Sequence, residues 1–131
     1  MNLKDLNLVI VDIETTGARI VQNRIIEIGI IRVQKGRVVQ RYSKLINPQQ
    51  PIPTSITKLT GIHETDVWDA PSFQEVHEEI FNILQDAIFV AHNVRFDYGF
   101  LKQEFKRLGV DFKAKCLCSV CLLRILYKQE K

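Results

Sequence analysis

The chain has 131 residues, a net charge of +3, 46% hydrophobic and 25% charged residues. These values are ordinary for one globular domain with a real core, and the mild charge permits nucleic acid as a partner without arguing for it. No apolar run approaches the roughly 20 residues that span a bilayer, and Met1-Asn2-Leu3-Lys4-Asp5 lacks the basic start of a secretory signal, so a cytoplasmic protein with no membrane association is expected.

Leu8–Glu14, dense in Leu, Val and Ile, reads as the first strand. Ile25–Val33 and Val38–Ile46 read as two more, joined by a short hairpin turn at Gln34-Lys35-Gly36. Asn47–Pro53 carries Pro48, Pro51 and Pro53 and cannot continue a ladder. Thr54–Thr60 predicts a short helix that Gly61 ends. Ser72–Asp86 is the clearest helix: Ser72 and Glu75 predict a capping box, and Phe73, Val76, Ile80 and Leu84 form its apolar stripe. Ala87–Ala91 predicts a short buried strand. Asn93 is the expected cap of a second long helix closing at Gly109, with Phe100, Leu101, Phe105 and Leu108 facing the core. A last strand around Phe112–Leu117 leads into a helix from about Ser119 to the end. Hairpin-linked strands followed by crossover units imply an α/β domain with a mixed sheet, three antiparallel strands and then two parallel ones, flanked by helices. Cys116, Cys118 and Cys121 are an odd number and lack a second ligand pair at zinc-finger spacing. They read as reduced, small buried apolar residues at a helix start.

Asp12 and Glu14 interrupt the first strand. Strand side chains alternate, so the two carboxylates share a face. Asp97 lies four residues before Leu101 and eight before Phe105, on the core-facing stripe of its helix. A strand-end salt bridge would account for the first pair, and the helix dipole for part of the cost at Asp97. Three misplaced carboxylates in one small domain are better explained by a shared divalent cation, which prefers oxygen ligands.

Val11-Asp12-Ile13-Glu14-Thr15-Thr16-Gly17 resembles the first motif of the DEDD exonucleases, a superfamily that includes the proofreading epsilon subunit of bacterial DNA polymerase III and RNase T. Ala91-His92-Asn93-Val94-Arg95-Phe96-Asp97, about 80 residues on, resembles the second. Ile25-Ile26-Glu27-Ile28-Gly29, Leu59-Thr60-Gly61-Ile62 and Cys118-Ser119-Val120 are similar to the segments that accompany them. The resemblance implies a ribonuclease-H-like fold and two-metal hydrolysis of phosphodiesters from a 3′ end, using Mg²⁺ or Mn²⁺. Carried over by position, Asp12 bridges the metals while Glu14 and Asp97 each ligate one. Thr15, Thr16, Ile62, His63, Asn93 and Phe96 meet the terminal nucleotide. The implied substrate is the single-stranded 3′ end of DNA, or of RNA, with a DNA polymerase or repair protein as partner. DNA is preferred because the resemblance is closest to the epsilon type.

The family's third motif, a His followed several residues later by an Asp, has no counterpart: after Asp111 the chain contains no Asp and no His. In the family that His takes the proton from the attacking water and that Asp completes the metal site. Residues 1–131 are therefore expected to form an exonuclease-like domain that is C-terminally truncated, with weak or no activity alone. Of the histidines present, His92 is expected to support structure, His77 to be a plain helix residue, and His63 to touch substrate. The alternative is a non-catalytic nucleic-acid or protein binding module that keeps the fold. A haloacid-dehalogenase phosphatase fits poorly, since the second acid is Glu and a hairpin follows strand one. No G-x-G-x-x-G follows that strand, which sets a dinucleotide site aside.

Overall fold

The computed structural model describes residues 3–129. After a 3₁₀ turn at Leu3–Asp5 come β1 (Asn7–Thr15), β2 (Ile25–Gln34), β3 (Arg37–Leu45), α1 (Thr54–Thr60), α2 (Glu64–Val67), α3 (Phe73–Leu84), β4 (Ile88–Ala91), α4 (Val94–Arg107), β5 (Cys116–Cys118) and α5 (Ser119–Gln129). The strands form one sheet in the order β3-β2-β1-β4-β5. The first three pair antiparallel, and β4 and β5 join in parallel. The mixed sheet expected from the sequence is thus the sheet observed. Lys35 and Gly36 both take positive φ, as a two-residue type I′ turn demands.

Val9, Val11 and Ile13 point from β1 to one face of the sheet, where α3 and α4 supply Phe73, Val76, Ile80, Phe100, Leu101 and Phe105. Phe73 and Phe112 meet the Phe105 ring at centroid distances of 5.1 and 5.2 Å, so aromatic edges and faces fill the middle of this layer. A smaller cluster of Ile26, Ile52, Ile62 and Val67 packs β2 to the α1–α2 segment. The other face of the sheet carries a groove of about 460 Å³ lined by Ile10, Asp12, Gly29, Ile31, Arg41 and Ser43, among others.

Several expected details differ. The last strand is only Cys116–Cys118, because β4 offers it three partners, Phe89, Val90 and Ala91. The Ser72 hydroxyl accepts from the Glu75 N–H, but the Glu75 carboxylate meets the Ser72 hydroxyl and not its backbone, so half of the capping box forms. Asn93 stands at the start of α4 without a side-chain cap; its carbonyl accepts from Phe96 and Asp97. The short helix α2 is an addition to the predicted elements. Its His63–Asp66 box closes one turn, through Asp66 accepting from the His63 N–H. Cys116 is exposed and Cys118 half-buried because β5 is an edge strand and not a core one; Cys121, in α5, is half-buried too.

Candidate active site

The alternation along β1 decides where its acids go. Val9, Val11 and Ile13 are buried, while Ile10 and Asp12 are exposed and Glu14 is half-buried. From Val9 to Ile13 the strand is therefore buried on one face only, and Asp12 is not the buried carboxylate its apolar neighbours suggest. Opposite Glu14 stands Glu27, and opposite Asp12 stands Gly29. The ladder slips between Glu14 and Thr15, an irregularity of the kind that re-aims side chains at strand ends. Burial raises the proton affinity of Glu14, and the charges of Asp12 and Glu27 raise it further.

Asp97 comes to this strand end from the first turn of α4. Its side chain is 6% exposed, and its Oδ2 accepts from the Ile13 N–H at 3.2 Å. Burial pushes its pKa to about 6, with a further rise from the Asp12 charge and a smaller one from Glu14; the N–H groups of Ile13 and Asp97 itself oppose the shift. Asp12, Glu14 and Asp97 thus feel one another, and among the described residues no ion pair involves any of them. Nor do any three His, Cys, Asp or Glu side chains there close into a ready metal cage. The fit to a divalent cation is one of chemistry: hard oxygen donors only, mutual repulsion, and no cationic partner.

Beside Glu14 lies a pocket of about 270 Å³, lined by Ile13, Glu14, Thr15, Gly17, Ala18, Ile56, Leu59, Thr60 and Phe96. Of the expected nucleotide contacts, Thr15 and Phe96 line it. The Thr15 hydroxyl is already engaged, donating to the Gly17 carbonyl at 2.6 Å. Thr16 is turned inward: its hydroxyl donates to Gln50 and accepts from the Arg24 N–H. Ile62 belongs to the smaller core cluster, at 7% exposure, and His63 begins α2. Neither lines the pocket, because the chain turns at Gly61 (φ +77°) and carries them away from α1. Asn93 is exposed and also lies outside it. Ile56, Leu59 and Thr60, on one face of α1, line this pocket instead; their i, i+3, i+4 spacing is the signal that could have found them. The Leu59 side chain is 80% exposed at the mouth. A Cβ at Gly17 would push aside the Asn23 side chain, whose Oδ1 it would meet at 2.6 Å.

A second acid on α4 escaped the sequence reading. Glu104, 1% exposed, is gripped by Arg24, whose Nε donates to both carboxylate oxygens at 3.0 and 3.1 Å and whose Nη2 donates at 2.8 Å. Arg107 adds an ion pair at 3.1 Å and donates to the Val21 carbonyl at 2.8 Å. The Ile25 N–H donates to the same carboxylate. This cluster ties α4 to the loop from Thr16 to Arg24, whose ends are joined by the Thr16 N–H to Arg24 carbonyl bond.

The family described as exonuclease (RNase T) matches residues 9–131. A DNA polymerase III PolC-type protein of Caldanaerobacter subterraneus subsp. tengcongensis is 41% identical over 123 residues, covering 94% of this chain and 9% of its own length. A 3′-5′ exonuclease DinG of Staphylococcus haemolyticus is 40% identical over 123 residues, covering 93% of this chain and 14% of its own. The chain thus spans a small part of either relative. A solved structure of exonuclease X in complex with 5′ overhanging duplex DNA superposes with a TM-score of 0.69 at 29% identity, over 92% of this chain and 64% of that one.

Proposed function

The chain belongs to the RNase T family of exonucleases, and from that premise we propose that it is the metal-dependent 3′-5′ exonuclease domain of a DNA-processing protein. The observation that carries this reading is the approach of Asp97, from α4, to the end of the strand that presents Asp12 and Glu14. Three acids from two elements, none ion-paired with a cation among the described residues, suit divalent metal better than a structural role.

Asp12, Glu14 and Asp97 would hold the cations. When bound, these would stabilise negative charge on the attacking and leaving oxygens of the phosphodiester. The Ile13 N–H holds one oxygen of Asp97 in place. The pocket between α1 and Phe96 offers an apolar floor for one base, with Phe96, Ile56 and Leu59 as stacking and packing surfaces. DNA as the substrate is supported by the DNA-bound exonuclease X and by the polymerase relatives, which also support a place in proofreading or repair beside a polymerase.

The second reading is a binding module with the same fold. It is favoured by the histidines: His63 begins α2, His77 contacts the Gln74 carbonyl, and exposed His92 sits 3.3 Å from Ser119 Oγ, so none is placed as a base beside the three acids. Without such a base the 131-residue chain should be slower by about 10²–10⁴-fold than an enzyme that has one.

The test is digestion of 5′-labelled single-stranded DNA with Mg²⁺ or Mn²⁺, together with calorimetric titration of each metal. Slow shortening from the 3′ end, and metal binding lost in both Asp12→Ala and Asp97→Ala, is the expected result. A folded chain that binds oligonucleotide but neither metal would leave the module reading in place.

A further inference from the structure

The pair Cys118 and Cys121 is not used by the proposed nuclease chemistry. Cys118 ends β5 and stands directly before α5, and Cys121 follows one turn later on the same face. The two sulfurs lie 3.1 Å apart. The Cys121 N–H donates to Cys118 Sγ at 3.4 Å, so the sulfur serves as the cap of the helix. Among the described residues no third His, Cys, Asp or Glu completes a metal group around them. The third cysteine differs: Cys116 is exposed and its sulfur points to the Ala114 carbonyl.

We propose that Cys118 and Cys121 form a redox-active dithiol that cycles to an intramolecular disulfide by exchange with a small-molecule disulfide. Cys118 is the attacking sulfur and Cys121 the resolving one. Hydrogen bonding with the Cys121 thiol and from the Cys121 N–H holds the Cys118 thiol below the ordinary range, while the bond between the two thiols and the Cys118 charge push Cys121 up. Partial burial of its sulfur pushes Cys116 up as well, against the opposing charge of Lys102, so its thiol is less ionised than that of Cys118.

In the first step the Cys118 thiolate bonds to one sulfur of the reagent disulfide, whose S–S bond breaks. The departing thiolate takes up a proton equivalent to the one Cys118 released. In the second, Cys121 loses its proton to solvent and attacks Cys118 Sγ, expelling the second small thiol. The protein has then lost two electrons and two protons, and the reagent has become two thiols. Bringing the sulfurs to bonding distance takes about 1 Å of movement. A strand followed by C-x-x-C and a helix is the setting in which such pairs work in reducing compartments. The proposal is independent of the nuclease reading.

The experiment treats the whole chain with oxidised glutathione at neutral pH and reads intact mass and peptide maps. The expected product has lost two hydrogens, links 118 to 121, and leaves Cys116 open to alkylation. Cys121→Ser should accumulate one glutathione on Cys118, Cys118→Ser should react at least about tenfold more slowly, and Cys116→Ser should match the parent chain. A glutathione adduct on Cys116 as the main product, or one that persists on Cys118 of the parent chain, overturns the proposal.

Discussion

The two buried acids of α4 sit two turns apart on one face, and each accepts from a strand N–H: Asp97 from Ile13 in β1, Glu104 from Ile25 in β2. Their electrostatic settings are opposite. Glu104 has two guanidiniums on it, whereas Asp97 is pushed by the like charges of Asp12 and Glu14 and, among the described residues, has no ion pair. The same helix thus uses one carboxylate to lock a loop and holds the other against repulsion. A buried acid that the chain itself neutralises is architecture; one left uncompensated points to a cation from outside.

Breaking the satisfied end should have the largest effect. Glu104→Gln keeps an acceptor for Ile25 but leaves two guanidiniums without their counter-charge. Arg24 and Arg107 keep 23% and 24% exposure, so water recovers part of the loss and the expected destabilisation is about 2–3 kcal/mol. Urea unfolding measures it; a change under about 1 kcal/mol would mean the cluster is not a buried one.

At the other end the sign reverses. The Asp97 pKa lies at about 6 in the fold against an ordinary 3.8, so the folded state binds the proton more tightly than the unfolded chain. Its contribution is fully present below the unfolded pKa and is lost as pH rises through about 6. Asp97→Asn removes this dependence while keeping an acceptor for Ile13. The metal-free variant should be more stable than the parent by about 1–2 kcal/mol at pH 8 or so, with the gain vanishing towards about pH 4. Thermal melts across that range without divalent ions check it. The parent protein should recover stability on adding Mn²⁺ and the variant should not.

Arg24→Lys tests the geometry of the satisfied end. A lysine keeps the charge but cannot match the two-oxygen fork. The expected cost is about 1 kcal/mol, read by the same unfolding experiment.

The contrast also explains what the sequence could reveal. β1 to β3 and the Lys35-Gly36 turn were legible because side-chain alternation and positive-φ chemistry are local. Asp97 was legible because a carboxylate in line with Leu101 and Phe105, four and eight residues before them, breaks a periodic stripe. Glu104 sits on that stripe too, three residues after Leu101 and four before Leu108. A glutamate on a helix reads as solvated by default, and its partner Arg24 is 80 residues away in sequence. The pocket wall at Ile56 and Leu59 was missed for a related reason. It depends on where Gly61 turns the chain, a backbone fact that sequence position alone does not show.

The smallest effect should come from an ion pair with neither burial nor a shared backbone donor. Lys113 and Asp111 lie 3.4 Å apart with side chains 75% and 71% exposed. Two flexible chains in water gain little Coulomb energy and lose rotamer freedom, so Asp111→Asn should change unfolding free energy by less than about 0.5 kcal/mol. Added salt should erase even that. If Asp111→Asn instead cost as much as Glu104→Gln, charge pairing alone would govern stability here. The difference between the two ends of α4 could then no longer be read as a difference in desolvation.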